Sequence, residues 1–235
     1  MRAPSELSIY ETYRTTISDM FISEKVNEAI EIELKEVAKN SFFSRIRDES
    51  HFRSKLKRVL VAVSFCEELG FSQGWGVIAA NLLRHGEEEF VYYCFTSMLR
   101  ALEASKIYST PASSFQKMSE DFFFDFAYEG CEKVRESLKL RSVFPAIVFK
   151  PFFQSWGFAC VPNKYDLTLA QGLWTKGWDF LRELLGAIMA KLVPFCVQLN
   201  VEEIQALFQR LQEGSANAFL DFDPNWQEIF NGLSK

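Results

Sequence analysis

Histidine is nearly missing from this sequence: His51 and His85 are the only two in 235 residues. Few acid–base groups therefore titrate near neutral pH. No Gly-rich phosphate loop, no Ser-His-Asp set and no cluster with metal-ligand spacing occurs either, so an unrelated metabolic enzyme has little support and no cofactor or metal is expected. Cysteine is sparse as well. The five (Cys66, Cys94, Cys131, Cys160 and Cys196) are scattered, odd in number and form no Cys-x-x-Cys pair. They read as buried, reduced thiols of an intracellular protein. Long apolar runs are lacking: no segment reaches the roughly eighteen residues of a membrane span. The nearest, Leu184 to Leu199, is interrupted by Lys191 and Pro194 and reads as core. The start, Met1 to Glu6, has no apolar stretch of the secretory kind. Positive charge is not in excess; a net charge of −5 weighs against a nucleic-acid partner, which would want a basic face. With only 11 Gly and 7 Pro, the chain does not read as linker or disorder.

What is present is apolar and helical in period. Hydrophobic residues make up 48% of the chain and phenylalanine alone contributes 24, enough to fill a sizeable aromatic core. Strict alternation of apolar and polar residues is absent, and apolar residues recur with the 3.6 period. An all-α, single-domain helical array of roughly ten to twelve helices across residues 1–235 is therefore expected.

In chain order, Glu6 to Met20 approximates one helix, with Leu7, Ile9, Tyr10, Tyr13, Ile17 and Met20 as its stripe. Ser23 caps a second from Glu24 to about Lys39, with Val26, Ala29, Ile30, Leu34 and Val37 on one face. Residues 40–44 read as a loop. The basic stretch Arg45, Arg47, His51, Arg53, Lys55, Lys57 and Arg58 reads as the solvated face of a helix whose buried stripe is Phe52, Leu56, Val59, Leu60 and Val63. Glu87 to Glu89 open a helix expected to bury Phe90, Tyr93, Cys94, Ser97, Met98 and Leu102. A linker around Tyr108 to Ala112 precedes a helix from Ser113 or Ser114. Further helices are expected over 129–140, over 143–158 with Pro151 near a kink, over 184–192, over 201–211, and in the tail, where Pro224 after Asp223 marks a start.

The organising stretch is Leu69 to Leu83. Gly70 ends the preceding helix, Ser72 is placed to N-cap the next, and Trp75 to Leu83 are apolar or small on almost every side, as in a helix buried all round. Gln73 stands at its mouth. A long amide there can orient a water or grip a backbone through both its oxygen and its nitrogen. From chemistry alone, helping to cap the first turn is the favoured reading.

Phe71-Ser72-Gln73-Gly74 followed by Val77 to Leu83 resembles the glutamine motif of TBC domains, the Rab GTPase-activating family, which writes Gly-Tyr-x-Gln-Gly-Met-Asn before an apolar helix. Leu56 to Ser64 resembles that family's Leu-Arg-Arg-Val-Leu-x-Ala-Tyr-Ser helix, and Glu87 to Leu99 its Glu-Glu-x-Ala-Phe helix. Further on, Trp156, Phe158 and Pro162, then Leu173-Trp174 and Gly177 to Leu181, keep the order of later signatures with shortened spacing and Thr175 in place of an Asp. The best match runs over 24–215, with 216–235 as a helical tail. The family's opening Arg and Trp have no counterpart before Met20, so the chain is expected to begin inside the usual domain.

The resemblance implies a GTPase activator that supplies a glutamine and an arginine in trans. Gln73 takes the glutamine position, and Phe71, Ser72, Gly74 and Trp75 belong to the GTPase-contacting turn. The arginine motif, Ile-x-x-Asp-x-x-Arg, aligns with Ile30 to Glu36: Glu33 stands for the Asp and Glu36 for the Arg. A carboxylate facing a triphosphate has the wrong sign. Lys35 and Lys39 lack the guanidinium fork, and Arg45 and Arg47 lie in the following loop. The expectation is a Rab-type GTPase-binding protein, weak or non-catalytic as an activator. The alternative is a structural or scaffold subunit that reuses the fold within a larger assembly. Either is expected in the cytoplasm, including peripherally at membranes or within a large complex, with no transmembrane segment.

Overall fold

In the computed structural model the described residues are 11, 23–39, 50–66, 71–103, 107–108, 111–125, 132–133, 136, 145–200, 202–203, 206 and 225–233. All regular structure among them is helical. The chain divides into two compact units, Met1–Ser109 and Thr110–Lys235.

The first unit holds α1 (Glu24–Lys39), α2 (Ser50–Cys66), α3 (Trp75–Leu82) and α4 (Glu88–Ala101). Helix α1 begins where the sequence places it: the Ser23 hydroxyl accepts a hydrogen bond from the Val26 N–H at 3.3 Å, and Ile30, Leu34 and Val37 are buried. Helix α2 buries Leu56, Val59, Leu60 and Val63 as its stripe requires. Its opposite side is not simply solvated. Arg53 and Lys57 both reach Glu31 of α1, at 2.6 and 2.7 Å. Lys55 meets Glu87 at 2.5 Å, and Arg58 grips Glu88 with two bonds of 2.9 and 2.5 Å. The basic helix is thus clasped by carboxylates from the helices on either side. The Lys57 ammonium, helped by Arg53, holds the Glu31 carboxyl below its usual range against the opposing effect of burial.

Helix α3 is buried all round, with Trp75, Ile78, Ala79, Ala80 and Leu82 fully enclosed. Helix α4 departs from expectation. It buries Val91, Tyr92, Phe95, Met98, Leu99 and Leu102, while Phe90 and Tyr93 are 42% and 44% exposed. Both stripes of this helix are apolar, so hydropathy alone cannot choose between them. The buried Glu88, held by Arg58, fixes the rotation.

The second unit holds α5 (Pro111–Asp125), α6 (Pro145–Gln154), a 3-10 turn (Asn163–Tyr165), α7 (Asp166–Lys176), α8 (Trp178–Gln198) and α9 (Trp226–Leu233). Helix α5 starts at Pro111, two residues before the expected serines, because proline suits the first helical position, where its missing N–H has no partner to lose. Helix α6 accommodates Pro151 and stops at Gln154 rather than Phe158. The chain turns there through left-handed Trp156 and Gly157, at φ 50° and 81°. Phe122 packs edge-on against Phe149 and Phe153 between α5 and α6. Gly177, at φ 60°, is the single residue between α7 and α8. Helix α8 continues through Pro194 as one 21-residue element, and its buried Leu184, Leu185, Ile188, Met189, Leu192, Val193 and Cys196 make it core, as expected. Helix α9 is capped by Asn225, which accepts from the Glu228 N–H through its backbone at 2.9 Å and its side chain at 3.4 Å.

Nine α-helices occur among the described residues, just under the expected ten to twelve. The helix expected over 6–20 (apart from Glu11), the loop at 40–44, Gly70, most of 129–140 and 201–211, and the Asp223-Pro224 start lie outside the described residues. No described helix is long and apolar enough to cross a membrane.

Candidate functional site

Glu33 interrupts an otherwise apolar stripe on α1 and is only 5% exposed. A carboxylate withdrawn from water must find donors, and these come from the start of α3. Residues 71–74 make a turn that delivers the chain into α3, with Gly74 left-handed at φ 95°. The first N–H groups of any helix point outward with no intrahelical acceptor. Here the Gly74 N–H donates to Glu33 Oε1 at 3.0 Å and the Gly76 N–H to the same oxygen at 3.2 Å. The start of α3 is therefore capped from another helix, by a residue 41 positions earlier.

That arrangement corrects the cap expected from Ser72. Gly74 occupies the capping position and no capping side chain of its own segment bonds the helix. Ser72 is buried, and its carbonyl accepts the Trp75 N–H at 3.3 Å. Nothing in the local Ser72-to-Trp75 pattern announces an acid from elsewhere. The signal lay in α1, where an acidic residue shares a stripe with Ile30, Leu34 and Val37.

Burial raises the Glu33 carboxyl above the usual carboxylate range. The bonds from Gly74 and Gly76 pull the other way, and the neighbouring Glu36 charge adds to the rise. Close approach also needs Gly76 to lack a side chain: a Cβ there would stand 2.5 Å from Glu33 Cγ and 2.9 Å from Val37 Cγ2.

The remaining residues sort by exposure. Gln73 is exposed in the turn. Its own peptide unit supplies the Gly74 N–H that Glu33 holds, so the backbone under Gln73 is fixed while its amide faces outward. Glu36 lies one helical turn beyond Glu33 and is exposed, as is Lys35. The Lys39 side chain, Arg45 and Arg47 lie outside the described residues. Phe71 is half-buried and packs edge-on against Trp75 at 6.0 Å. Trp75 is fully buried, with Phe95 and Tyr108 also edge-on at 5.4 and 5.3 Å. Its ring is foundation and presents nothing at the surface.

Gln73 is thus an exposed amide on a clamped turn, and Glu36 an exposed carboxylate on the helix that supplies the clamp. A family model for the Rab-GTPase-TBC domain matches residues 4–190, more than three quarters of the chain. The chain belongs to the TBC domain family. TBC domains are Rab GTPase-activating modules and bind Rab GTPases. No curated protein matches the chain. Within the TBC domain the matched region includes α1 through α7 and most of α8, and so contains both the glutamine turn and the helix that holds it. Among the described residues no group of three His, Cys, Asp or Glu side chains comes together as a metal site would require.

Proposed function

We propose that this TBC domain engages a Rab-type small GTPase through the edge formed by α1 and the glutamine turn, and contributes little or nothing to hydrolysis. The observation that carries the reading is Glu36. It is exposed, one turn from Glu33, on the helix whose carboxylate fastens the turn bearing Gln73. If the aligned position faces the nucleotide, a negative charge there opposes the charge that builds on the transferring phosphoryl group. An arginine in its place would stabilise that charge by a factor of roughly 1,000 to 100,000 in rate. Gln73 keeps the geometry of a contact residue, an exposed amide over a fixed backbone.

The test is GTP hydrolysis over a panel of Rab GTPases, with binding measured in parallel. The expected result is binding with little stimulation, and a gain in rate for Glu36→Arg. Strong stimulation by the wild-type chain that disappears in Gln73→Ala would overturn the reading and make the chain an active GTPase activator.

A second reading, a packing subunit of a larger assembly, draws on Ile32, Phe65, Phe90 and Tyr93, which leave 42–60% of their surface exposed on the first unit. Co-purification with stable partners but no GTPase would favour it. A monomer that binds a GTP-loaded Rab would count against it.

A further inference from the structure

A buried acid is a costly way to cap a helix, since a serine or aspartate at the local capping position would do it in place. What Glu33 adds is a tie between two separate elements. Its single oxygen Oε1 takes both Gly74 and Gly76 N–H groups, and Gly74 is in the left-handed conformation that sets the direction of the turn. The space for this carboxyl exists only because position 76 has no Cβ. The carboxyl group, the left-handed glycine and the bare glycine form one interlocking device, and Gln73 rides on it.

We propose that Glu33 is the positioning residue of the glutamine turn, with Gly76 as the space it needs, so that the placement of the Gln73 amide is set by α1 rather than by the turn's own sequence. Glu33 touches no partner itself; it acts through the backbone of residues 73–76. The inference deepens the GTPase-binding reading of this edge and rests on it only for the binding measurement below.

Two conservative substitutions separate reach from charge. Glu33→Gln keeps the length and an oxygen acceptor but loses the charge. Glu33→Asp keeps the charge but withdraws the oxygens by about one bond length, beyond reach of both N–H groups. Hydrogen exchange of the whole 235-residue chain reads the result amide by amide. The expected outcome is protection at Gly74 and Gly76 kept within about threefold in Glu33→Gln and lowered about tenfold or more in Glu33→Asp, with core amides of α2 little changed in both. Gly76→Ala, whose methyl displaces the carboxyl, should resemble Glu33→Asp. A purely structural role would lower α2 protection in step with the turn. Unchanged protection at 74 and 76 in Glu33→Asp, or equal loss in Glu33→Gln, overturns the proposal.

The second measurement is affinity for a Rab GTPase bound by the wild-type chain. Glu33→Asp should weaken it about tenfold and Glu33→Gln should restore it. Turn protection that follows the predicted order while no Rab binds any variant would sink the GTPase reading and leave the positioning role standing.

Discussion

Trp75 separates two uses of the glutamine turn, as packed foundation or as contact surface. Its ring is fully enclosed by Phe71, Phe95 and Tyr108, and its Nε1 has no hydrogen-bond partner among the described residues. Replacement by alanine removes the whole ring, and truncations of that kind cost about 3–5 kcal/mol. Domains as a whole are stable by roughly 5–15 kcal/mol, so Trp75→Ala should leave the fold marginal and lower its melting midpoint by about 6–20 °C. Trp75→Phe has two opposing parts. The smaller ring leaves roughly 40 Å³ unfilled, a cost of about 1 kcal/mol. Removing the stranded N–H recovers about 1–3 kcal/mol. The parts nearly offset, and Trp75→Phe should lie within about 2 kcal/mol of wild type. Urea denaturation followed by circular dichroism measures both. A loss in Trp75→Phe as large as in Trp75→Ala would mean that the N–H has a partner worth keeping. A loss below about 1 kcal/mol in Trp75→Ala would mean that the ring is not core.

Arg58→Ala removes the two bonds that Arg58 makes to the buried Glu88 carboxylate; a fully buried pair would cost roughly 3–5 kcal/mol to break, and the 39% exposure of Arg58 reduces this to about 1.5–3 kcal/mol. A double-mutant cycle with Glu88→Gln checks it, and strict additivity would refute it. Because burial raises the Glu33 pKa above 4.5, the charged form costs stability that is absent at low pH and appears as pH rises through the raised value. Glu33→Gln should therefore gain on wild type between acid and neutral pH, measured by denaturation across that range; a gap that shrinks instead would contradict the sign. Burial pushes the Cys196 thiol up to about 12, so a thiol reagent at neutral pH should label it only on unfolding, and rapid labelling of the folded chain would refute its enclosure. Gly172→Ala would drive a methyl into the Phe180 ring and should lower the melting midpoint by several degrees.

Much of the helical framework was legible because its signals are local. Ser23, the apolar stripes of α1 and α2, and the all-round apolarity of α3 each state a boundary or a face within one or two turns. The rotation of α4 was not legible, since its two faces are equally apolar and only the ion pair of Glu88 with Arg58, thirty residues away, decides between them. The candidate site divides in the same manner. Gln73 was singled out by motif, and it lies exposed in the turn. Glu33 was recognised only as a displaced aspartate. Its capping role needed the fold, because Oε1 and the Gly74 N–H are far apart in the chain. The TBC pattern's aspartate and asparagine are replaced here by Glu33 and Gly76, a longer acid opposite a missing side chain, and neither change is interpretable without the other.

The dependence of the turn on Glu33 bears on what can be transplanted. An eight-residue helix is too short to persist alone in water, where roughly twelve to fifteen residues are needed. Cut loose from α1, the segment 71–82 would lose both its shape and its anchor. Grafting the Gln73 motif onto another scaffold would carry the letters without the conformation. A chimera that is to keep its function must bring along the far helix as well.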